Sequence, residues 1–353
     1  MSDPAQQDWK SMLAGARVGI TGVCGSVGGE LLRQVLACEP EYVIGLDNNE
    51  SSLFFLWQEF HGNPALEVAI CDLRDMQALE TRLRGLDIVL HAAALKHVPL
   101  CEDSPLDAIQ TNIIGTQNVI DAAARGGAKR VLFTSSDKAV NPTNVMGTSK
   151  LMAERLVTAA NSRPENDGVI MASTRFGNVL GSRGSVIPLF AKQIETGGPI
   201  TITDPDMSRF IMTLPQAVEL VLRSAFLAEG GEVFITKMPV IRIDDLAAVM
   251  VDILAPQFGH DPASIELKVV GTRPGEKLFE ELMNSEETRR SADAGDFIVV
   301  HPAIGAGFTP IERDESDPLS DPYNSHLTPP MSRDELREYL IVNNLLEGTE
   351  VNG

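Results

Sequence analysis

The segment from Ser135 to Lys150, SSDKAVNPTNVMGTSK, contains side chains that could transfer protons. Asp137 and Lys138 set a carboxyl group and an amine side by side after a predicted strand, so the pair could supply both an acid and a base. Lysine acts as a base near neutral pH only where burial or a nearby cation lowers its pKa, and Lys150 could be that cation. Met146 lies one helical turn before Lys150, but a thioether cannot transfer a proton. Without further context, Asp137 could equally be a turn residue or a helix cap and Lys138 a surface lysine.

A glycine-rich motif, Thr21-Gly22-x-x-Gly25-x-x-Gly28, follows one predicted strand and opens a predicted helix. The glycines would let the backbone turn tightly and approach a pyrophosphate placed at the helix N-terminus. Asp47 ends the next predicted strand, where a carboxylate can accept both ribose hydroxyls of NAD and would repel the 2′-phosphate of NADP. The next three residues, NNE, provide no cation for such a phosphate, so the motif favours NAD over NADP.

Two further strand ends could line the same cofactor site. Asp72 ends the third strand and could meet the adenine amino group, although it could also cap a helix. The small residues of HAAA, which include Ala92–Ala94, could run beside the cofactor or serve close helix packing. The predicted cofactor contacts are Thr21, Gly22, Gly25, Ser26, Val27, Gly28, Asp47, Asn48, Asp72, Leu73, Ala92, Ala93, Ala94, Lys96, Asn112 and Lys150.

The elements that must position these residues alternate between strand and helix. Near-continuous apolar runs predict strands at RVGITG, YVIGLD, LEVAICD, LDIVLHAAA and KRVLFTSS, whereas GGELLRQVLACE and TNIIGTQNVIDAAARGG have the length and pattern of amphipathic helices. Apolar strands that alternate with helices are typical of a parallel sheet covered on both faces. The predicted fold class is α/β, a doubly wound parallel sheet of the Rossmann type with a smaller C-terminal substrate-binding lobe.

The second half of the chain has a looser pattern. SVIPLFAKQIETGG and LPQAVELVLRSAFLAEGG predict helices, GEVFITK and IELKVVG predict strands, and the chain could re-enter the first domain. A last helix is predicted after Ser332, because Glu335 completes a capping box; Pro142 is predicted to begin the helix that contains Met146. The predicted regions are an N-terminal extension at 1–16, an NAD-binding domain at 17–180, a mainly substrate-binding lobe at 181–300 and a tail at 301–353.

Composition excludes several classes of partner. The 353 residues have a formal net charge of −20, which argues against nucleic acid and anionic membranes as partners. The sequence has neither a signal-peptide pattern nor an apolar run of the roughly 18–20 residues that span a bilayer. Its four cysteines lack CxxC spacing and are interpreted as reduced thiols rather than metal ligands, so no metal site is predicted and a cytoplasmic setting is expected.

TGxxGxxG combined with MxxxK resembles the extended short-chain dehydrogenase/reductase superfamily. Four separate blocks, AALKHVPLCEDSPLDAIQTNIIGT, SSDKAVNPTNVMGTSK, RFGNVLGSRGSV and GTRPGEKLFEEL, resemble the nucleotide-sugar 4,6-dehydratases of bacterial surface-polysaccharide synthesis. The resemblance implies a UDP-N-acetylhexosamine substrate, with UDP-N-acetylglucosamine favoured, and the formation of a 4-keto-6-deoxy sugar. It also implies NAD as cofactor, and the DNNE stretch together with the methionine resembles the members that retain the configuration at C5.

The resemblance also implies roles for the proton-transferring residues. Asp137 would protonate the leaving C6 hydroxyl, with Ser136 beside it, and Lys138 would remove the C5 proton. Lys150 would contact the nicotinamide ribose. Met146 occupies the position of the usual tyrosine, as it does in some members of the group, so either Lys138 or Asp137 would accept the C4 hydroxyl proton.

Several polar residues are candidates for substrate contacts. Lys96 could touch a cofactor or substrate phosphate, and Asn112 could hold the backbone of the active-site strands. By resemblance, Asn178 would bond the diphosphate or the sugar; two arginines could grip a diphosphate and Glu276 a ribose hydroxyl. Each of these residues could instead serve the surface or a turn. The predicted substrate contacts are Lys96, Ser136, Asn178, Ser185, Val186, Arg209, Arg273 and Glu276.

Two other functions use the same features. A nucleotide-sugar 4-epimerase would share the C4 oxidation without the elimination, and a catalytically silent scaffold would keep only the dinucleotide site. The adjacent Asp137 and Lys138 favour the dehydratase over both. A homo-oligomer is expected, and the sequence does not determine its subunit count.

Overall fold

A strand forms within each of the seven segments for which apolar runs predicted one, and further strands, such as Ile170–Arg175, form outside those segments. The computed structural model describes residues 9–166, 168–181, 185–271, 275–303, 317 and 319–346. The strands are β1 Arg17–Thr21, β2 Tyr42–Asp47, β3 Leu66–Ile70, β4 Ile88–His91, β5 Arg130–Thr134, β6 Ile170–Arg175, β7 Asn178–Val179, β8 Ile200–Ile202, β9 Ser208–Met212, β10 Val233–Thr236, β11 Val240–Arg242, β12 Leu267–Val269, β13 Glu281–Met283, β14 Ser291–Ala294, β15 Phe297–Val300 and β16 Tyr323–Asn324.

Nine of these strands form one large sheet in the order β14-β15-β10-β6-β5-β4-β1-β2-β3. The seven strands from β10 to β3 pair in parallel, and β15 and β14 add an antiparallel edge. The order β3-β2-β1-β4-β5-β6 is that of a doubly wound nucleotide-binding sheet, in which ligands bind at the carboxyl ends of the strands. The predicted α/β fold class is confirmed.

Helices connect the parallel strands, as the amphipathic stretches predicted. A single π-helical turn, Ile109–Ile114, leads directly into α7, and such turns are frequent at functional sites. The helices are α1 Trp9–Leu13, α2 Ser26–Leu36, α3 Glu50–Glu59, α4 Met76–Arg82, α5 Val98–Asp103, α6 Pro105–Ala108, α7 Gly115–Gly126, α8 Val145–Ala160, α9 Val186–Glu195, α10 Leu214–Leu227, α11 Ile243–Leu254 and α12 Arg333–Val342. Within the described residues, none of these helices has both the length and the apolar character needed to cross a bilayer.

Side-chain caps mark the first residues of helices α12 and α8. The predicted capping box of α12 is present, since Ser332 accepts the Glu335 amide and the Glu335 carboxylate accepts the Ser332 amide. The prediction that Pro142 begins helix α8 is wrong. Helix α8 begins at Val145, because the Asn144 side chain accepts the Gly147 amide at 2.8 Å and caps the helix there.

The chain divides into two units, each with its own apolar core. The core of the first unit lies between the large sheet and its helices, and includes Ile44, Val89 and Phe133. The core of the second unit joins α9, α11 and α12, and includes Phe190 and Met250. The chain leaves and re-enters the first unit twice, so that the first unit consists of 1–176, 215–237 and 282–322, and the second of 177–214, 238–281 and 323–353.

The first turn of α2 packs against the loop after β1 so closely that two glycines are required. Gly22 has a φ of +72°, which favours glycine. A Cβ atom at Gly28 would lie 2.1 Å from the carbonyl oxygen of Gly22, whereas one at the next residue, Gly29, would have no neighbour within 3.4 Å among the described residues. The last glycine of the motif therefore sets the distance between helix and loop.

We expect Gly28→Ala to lower the melting temperature, because the added methyl group would push α2 away from the loop. Gly29→Ala is the matched control: its methyl group has space, and alanine favours a helix interior by about 1 kcal/mol over glycine. Differential scanning fluorimetry of the two variants measures the difference. Equal melting temperatures would contradict the close approach at Gly28.

Candidate active site

The loop after β1 presents a helix N-terminus without a side-chain cap. Gly25 occupies the N-cap position of α2 and has no side chain that could cap the helix, and a helix N-terminus of this kind favours an anion. Asp47, at the end of β2, accepts the Cys24 amide through Oδ2 and the Asn49 amide through Oδ1, each at 3.0 Å. These bonds fix the carboxylate beside the glycine loop, where each oxygen keeps further acceptor capacity.

The other predicted cofactor residues differ in their contacts and in their burial. Ala93 lies directly against Gly22, since a Cβ at Gly22 would come within 2.6 Å of the Ala93 Cα. The Asp72 carboxylate is held by Arg74 at 2.5–3.1 Å, and these hydrogen bonds lower the Asp72 pKa. Leu73 is buried in the core. Ser26 and Val27 are half-buried in the first turn of α2, Ala92 and Ala94 are half-buried after β4, and Asn48 and Lys96 are exposed.

A chain of buried hydrogen bonds leads away from the glycine loop. His91, at the end of β4, lies 2.7 Å from the Thr21 hydroxyl through Nδ1 and 3.0 Å from the Thr116 hydroxyl through Nε2. The Thr116 hydroxyl donates its proton to the Asn112 carbonyl at 2.7 Å, so it must accept from Nε2–H. In the neutral ring, Nδ1 is then the acceptor for the Thr21 hydroxyl. Burial, with a contribution from the Lys150 charge, lowers the His91 pKa to about 3.

Asn112 continues this chain to helix α8. It lies in the π-helical turn, where its Oδ1 accepts the Leu95 amide at 2.8 Å and its Nδ2 donates to the Leu95 carbonyl at 3.0 Å. The same Nδ2 donates to the Ser149 hydroxyl at 2.9 Å, which donates to the Met146 carbonyl at 2.7 Å. Sequence reasoning selected Asn112 but missed His91, because nothing in the local sequence distinguishes a buried relay histidine from any other strand residue.

Ser136, Asp137 and Lys138 form one hydrogen-bonded group in the turn after β5. The Ser136 hydroxyl donates to Asp137 Oδ1 at 2.7 Å and accepts the Lys138 amide at 3.3 Å. Lys138 Nζ lies 3.1 Å from both oxygens of Asp137. The Asp137 side chain is buried and the Lys138 side chain is 34% exposed, so the amine can reach a ligand while the carboxylate remains in place.

Met146 and Lys150 are both buried on helix α8, but in different surroundings. Met146 is packed in an apolar cluster with Cys101 and Ala108. Lys150 Nζ donates to the Thr134 carbonyl at 2.9 Å and lies 4.6 Å from the centre of the Phe133 ring. Burial lowers the Lys150 pKa to about 8, and the nearby Glu154 charge opposes this decrease.

A separate cavity of about 700 Å³ lies within the second unit. Its walls are mainly apolar, with residues such as Ile202, Ile211 and Ile243, and polar and charged side chains interrupt them. Arg273 lies outside the described residues. The remaining predicted substrate residues of this unit all line the cavity; they are Asn178, Ser185, Val186, Arg209 and Glu276.

A buried carboxylate that the sequence did not reveal organises one side of this cavity. Glu280 accepts the Asn178 side-chain amide at 2.7 Å and the Phe210 backbone amide at 2.9 Å. Arg209 Nε lies 3.4 Å from the same carboxylate, and its other nitrogens donate to backbone carbonyls, among them that of Lys277, and to the Met207 sulfur. The guanidinium is therefore a cation whose position is fixed at the cavity wall.

The N-terminus of α9 lines the same cavity. Ser185 occupies the N-cap position without a side-chain capping bond, and its hydroxyl oxygen is buried without a hydrogen-bond partner among the described residues. A buried hydroxyl without a partner is costly unless a ligand satisfies it. Together with the first amides of the helix and the nearby Arg209, this hydroxyl makes the cavity suitable for an anionic group.

The chain is similar in sequence to proteins of polysaccharide biosynthesis and to enzymes of nucleotide-sugar metabolism. A family model described as polysaccharide biosynthesis protein matches residues 18–302. An uncharacterised membrane protein of Methanocaldococcus jannaschii is 46% identical over 84% of this chain and 89% of its own length. The capsular polysaccharide biosynthesis protein CapD of Staphylococcus aureus is 42% identical over 81% of this chain, which spans only 48% of CapD. A UDP-glucose 4-epimerase of Rickettsia canadensis is 39% identical over 81% of this chain and 82% of its length.

Two solved structures are also similar. Pen from Bacillus thuringiensis has a TM-score of 0.87 and 39% identity, over 95% of this chain and 99% of its own. DesIV, a dTDP-glucose 4,6-dehydratase from Streptomyces venezuelae, has a TM-score of 0.64 and 24% identity, over 74% of this chain and 86% of its own. At 24% identity, the similarity to DesIV shows a shared fold and no more.

We expect the neutral burial of His91 to make the protein sensitive to acid. Its folded-state pKa of about 3 lies below the ordinary value of 6.5, so its contribution to stability is complete above about pH 6.5 and is lost as the pH falls toward 3. The free energy of unfolding should decrease by about 1.4 kcal/mol per pH unit in that window from this group alone.

Urea unfolding between pH 7.5 and 5 measures this effect. His91→Gln removes the titrating group and should flatten the pH dependence by that amount, whereas His97→Gln, at an exposed histidine, should leave it unchanged. The same slope in both variants would show that His91 does not carry the effect.

Proposed function

The chain belongs to the polysaccharide biosynthesis protein family, within the extended short-chain dehydrogenases/reductases that modify nucleotide sugars, and on that premise we propose that it is an NAD-dependent UDP-N-acetylglucosamine 4,6-dehydratase. The observation that carries the proposal is the hydrogen-bonded group of Ser136, Asp137 and Lys138. It offers an acid and an amine at one strand end, which an elimination of water requires and a simple epimerisation does not.

The first unit supports NAD as the cofactor. The uncapped N-terminus of α2 would hold the pyrophosphate, and the Asp47 carboxylate would accept the ribose hydroxyls. A 2′-phosphate would meet the same carboxylate, and the three residues after it, NNE, supply no cation, which favours NAD over NADP. The solved relative DesIV was crystallised with NAD, in agreement with this choice.

The second unit supports a nucleotide diphosphate as the bound part of the substrate. A protein of net charge −20 must bind such a group through local positive charge. At the cavity wall Arg209, which lies beside Glu280, and the N-terminus of α9 would supply it, and the Ser185 hydroxyl would add a hydrogen bond. Uridine as the nucleoside rests on the naming of relatives such as the R. canadensis epimerase.

The proposed reaction has three stages. Bound NAD supplies a hydride acceptor for C4 and later a hydride donor for C6. In the first stage the C4 hydroxyl loses its proton to Lys138 or Asp137, as C4 becomes a carbonyl. In the second stage the carbonyl acidifies C5, Lys138 removes the C5 proton, and Asp137 protonates the C6 hydroxyl, which leaves as water. In the last stage C5 regains a proton as C6 accepts hydride, which yields the 4-keto-6-deoxy sugar, with retention at C5 favoured.

Met146 does not disable this mechanism. Its side chain is packed with Cys101 and Ala108, so it fills space and transfers no proton. Lys138 and Asp137 are already joined by hydrogen bonds of 3.1 Å and can exchange a proton between them. One pair can therefore serve the C4 and C5 steps in turn, while Lys150 places a positive charge near the nicotinamide ribose.

A nucleotide-sugar 4-epimerase is the second candidate, because the R. canadensis relative is named as one. The two functions share the C4 oxidation and differ in the step after it. We expect the purified protein, incubated with UDP-N-acetylglucosamine and NAD, to form a product lighter by one water in mass spectrometry. A product of unchanged mass and altered C4 configuration would identify an epimerase, and the absence of any product would favour a catalytically silent protein or another sugar.

We expect Lys138→Met to reduce water loss by at least about 100-fold, the usual contribution of a positioned base. Lys129→Met is the matched control, since Lys129 is 77% exposed and pairs with Asp87. Two measurements on Lys138→Met separate the roles of Lys138: the single-turnover absorbance of the reduced cofactor, and exchange of the C5 hydrogen in deuterated water. If Asp137 serves the C4 step, reduced cofactor should accumulate without exchange; if Lys138 serves both, neither should appear. Near-normal dehydration by the variant would transfer the base role to another lysine, with Lys96 and Lys150 next in line.

A further inference from the structure

A buried arginine outside the proposed reaction centre donates all of its hydrogen bonds to other groups of the first unit. Arg175 is the last residue of β6 and is 1% exposed. Its Nε and Nη2 donate to the two oxygens of Glu154 at 2.8 and 2.7 Å, and its Nη1 and Nη2 donate to those of Glu287 at 2.9 Å each. The remaining Nη1 proton is donated to the Leu282 carbonyl at 2.9 Å. Glu154 and Glu287 are each 1% exposed.

This cluster combines two carboxylates with one guanidinium. Burial opposes ionisation of Glu287, yet the charge and hydrogen bonds of Arg175 hold its pKa below the usual value. Arg290 lies 3.6 Å from Glu287 but is also paired with the exposed Glu286. A buried ion cluster of this kind contributes little net stability compared with apolar packing, so stability alone is a weak explanation for it.

The cluster adjoins both elements of the proposed reaction centre. Glu154 follows Lys150 by one turn on α8, which places both side chains on one face of the helix. Phe176, the residue after Arg175, accepts the Asp137 amide through its carbonyl at 3.3 Å. The segment Leu282–Arg290, where the chain re-enters the first unit, is thus connected through Arg175 to helix α8 and to the turn after β5.

The ionisation of Lys150 depends on the charged and polar groups of the elements that pack around it. On β4, His91 is neutral; on β5, the Thr134 carbonyl and the Phe133 ring contact the ammonium. In the turn packed against α8, Asp137 forms an ion pair with Lys138, and on β6 the Arg175 guanidinium forms one with Glu154. Glu154 is the carboxylate on α8 whose charge favours the ammonium form.

We propose that Glu154, held in place by Arg175 and Glu287, is a positioning residue that keeps Lys150 protonated at neutral pH. The segment Leu282–Arg290 then has a role beyond packing, because Glu287 and the Leu282 carbonyl orient the arginine that orients Glu154. The proposal rests on the proposed function only for the use of Lys150 in catalysis. The charge state of Lys150 is itself measurable in the protein without substrate.

Trace acylation of lysines, followed by peptide mass spectrometry from pH 6 to 10, gives the labelling midpoint of Lys150. We expect Glu154→Gln to lower this midpoint by at least half a pH unit, which corresponds to about threefold more labelling at pH 7. Glu154→Asp, which restores the charge, should recover most of the shift. Glu286→Gln, at the exposed partner of Arg290, is the matched control and should leave the midpoint unchanged.

An unchanged midpoint in folded Glu154→Gln would overturn the proposal, as would equal shifts in Glu154→Gln and Glu286→Gln. If Glu154→Gln does not fold, Glu287→Gln provides the second test, since it also removes one negative charge from the cluster. An unchanged midpoint there would likewise overturn the proposal. Failure of the protein to dehydrate UDP-N-acetylglucosamine would refute the proposed function and leave the labelling result unaffected.

Discussion

The buried ammonium group of Lys150 is the constraint on which the candidate active site depends. A charge removed from water is tolerated only where fixed groups replace its hydration. Here the Lys150 ammonium has a hydrogen bond to the Thr134 carbonyl, a contact with the Phe133 ring and the favourable charge of Glu154 in place of water. These three groups come from the end of β5 and from α8, so the strand and the helix must keep one relative position. The turn with Asp137 begins at that same strand end and takes its position from it.

Polar contacts also link the glycine loop to helix α8. The buried hydrogen bonds from Thr21 through His91, Thr116 and Asn112 reach Ser149, one residue before Lys150. In a medium of low polarity an unpaired member of such a chain is costly, so the whole chain favours a single arrangement. The loop that would bind a pyrophosphate and the helix that carries the lysine are therefore held in register by polar contacts as well as by the apolar core.

The second unit solves a different electrostatic problem. The protein has a net charge of −20, so an anionic ligand must be attracted by groups with fixed positions. Glu280 holds Asn178 and lies close to Arg209, and backbone carbonyls orient the guanidinium. The Ser185 hydroxyl, without a partner among the described residues, marks the place where a ligand could complete the hydrogen bonding. Such local organisation of polar groups would offset the unfavourable overall charge for the anionic substrate proposed here.

The sequence by itself determined those features that depend on residues close together in the chain. Apolar runs predicted all of the parallel strands of the large sheet except β6, and the glycine spacing predicted the loop after β1, because backbone geometry and burial are encoded locally. Even there, Asn144 displaced the helix start predicted at Pro142, since a side-chain cap competes with a proline preference. Only the tertiary structure decided that Arg175 pairs with Glu287, 112 positions away, and that His91 is a buried relay. Buried polar groups take the partners that packing brings to them, and the spacing of residues along a chain does not record which distant segments will meet.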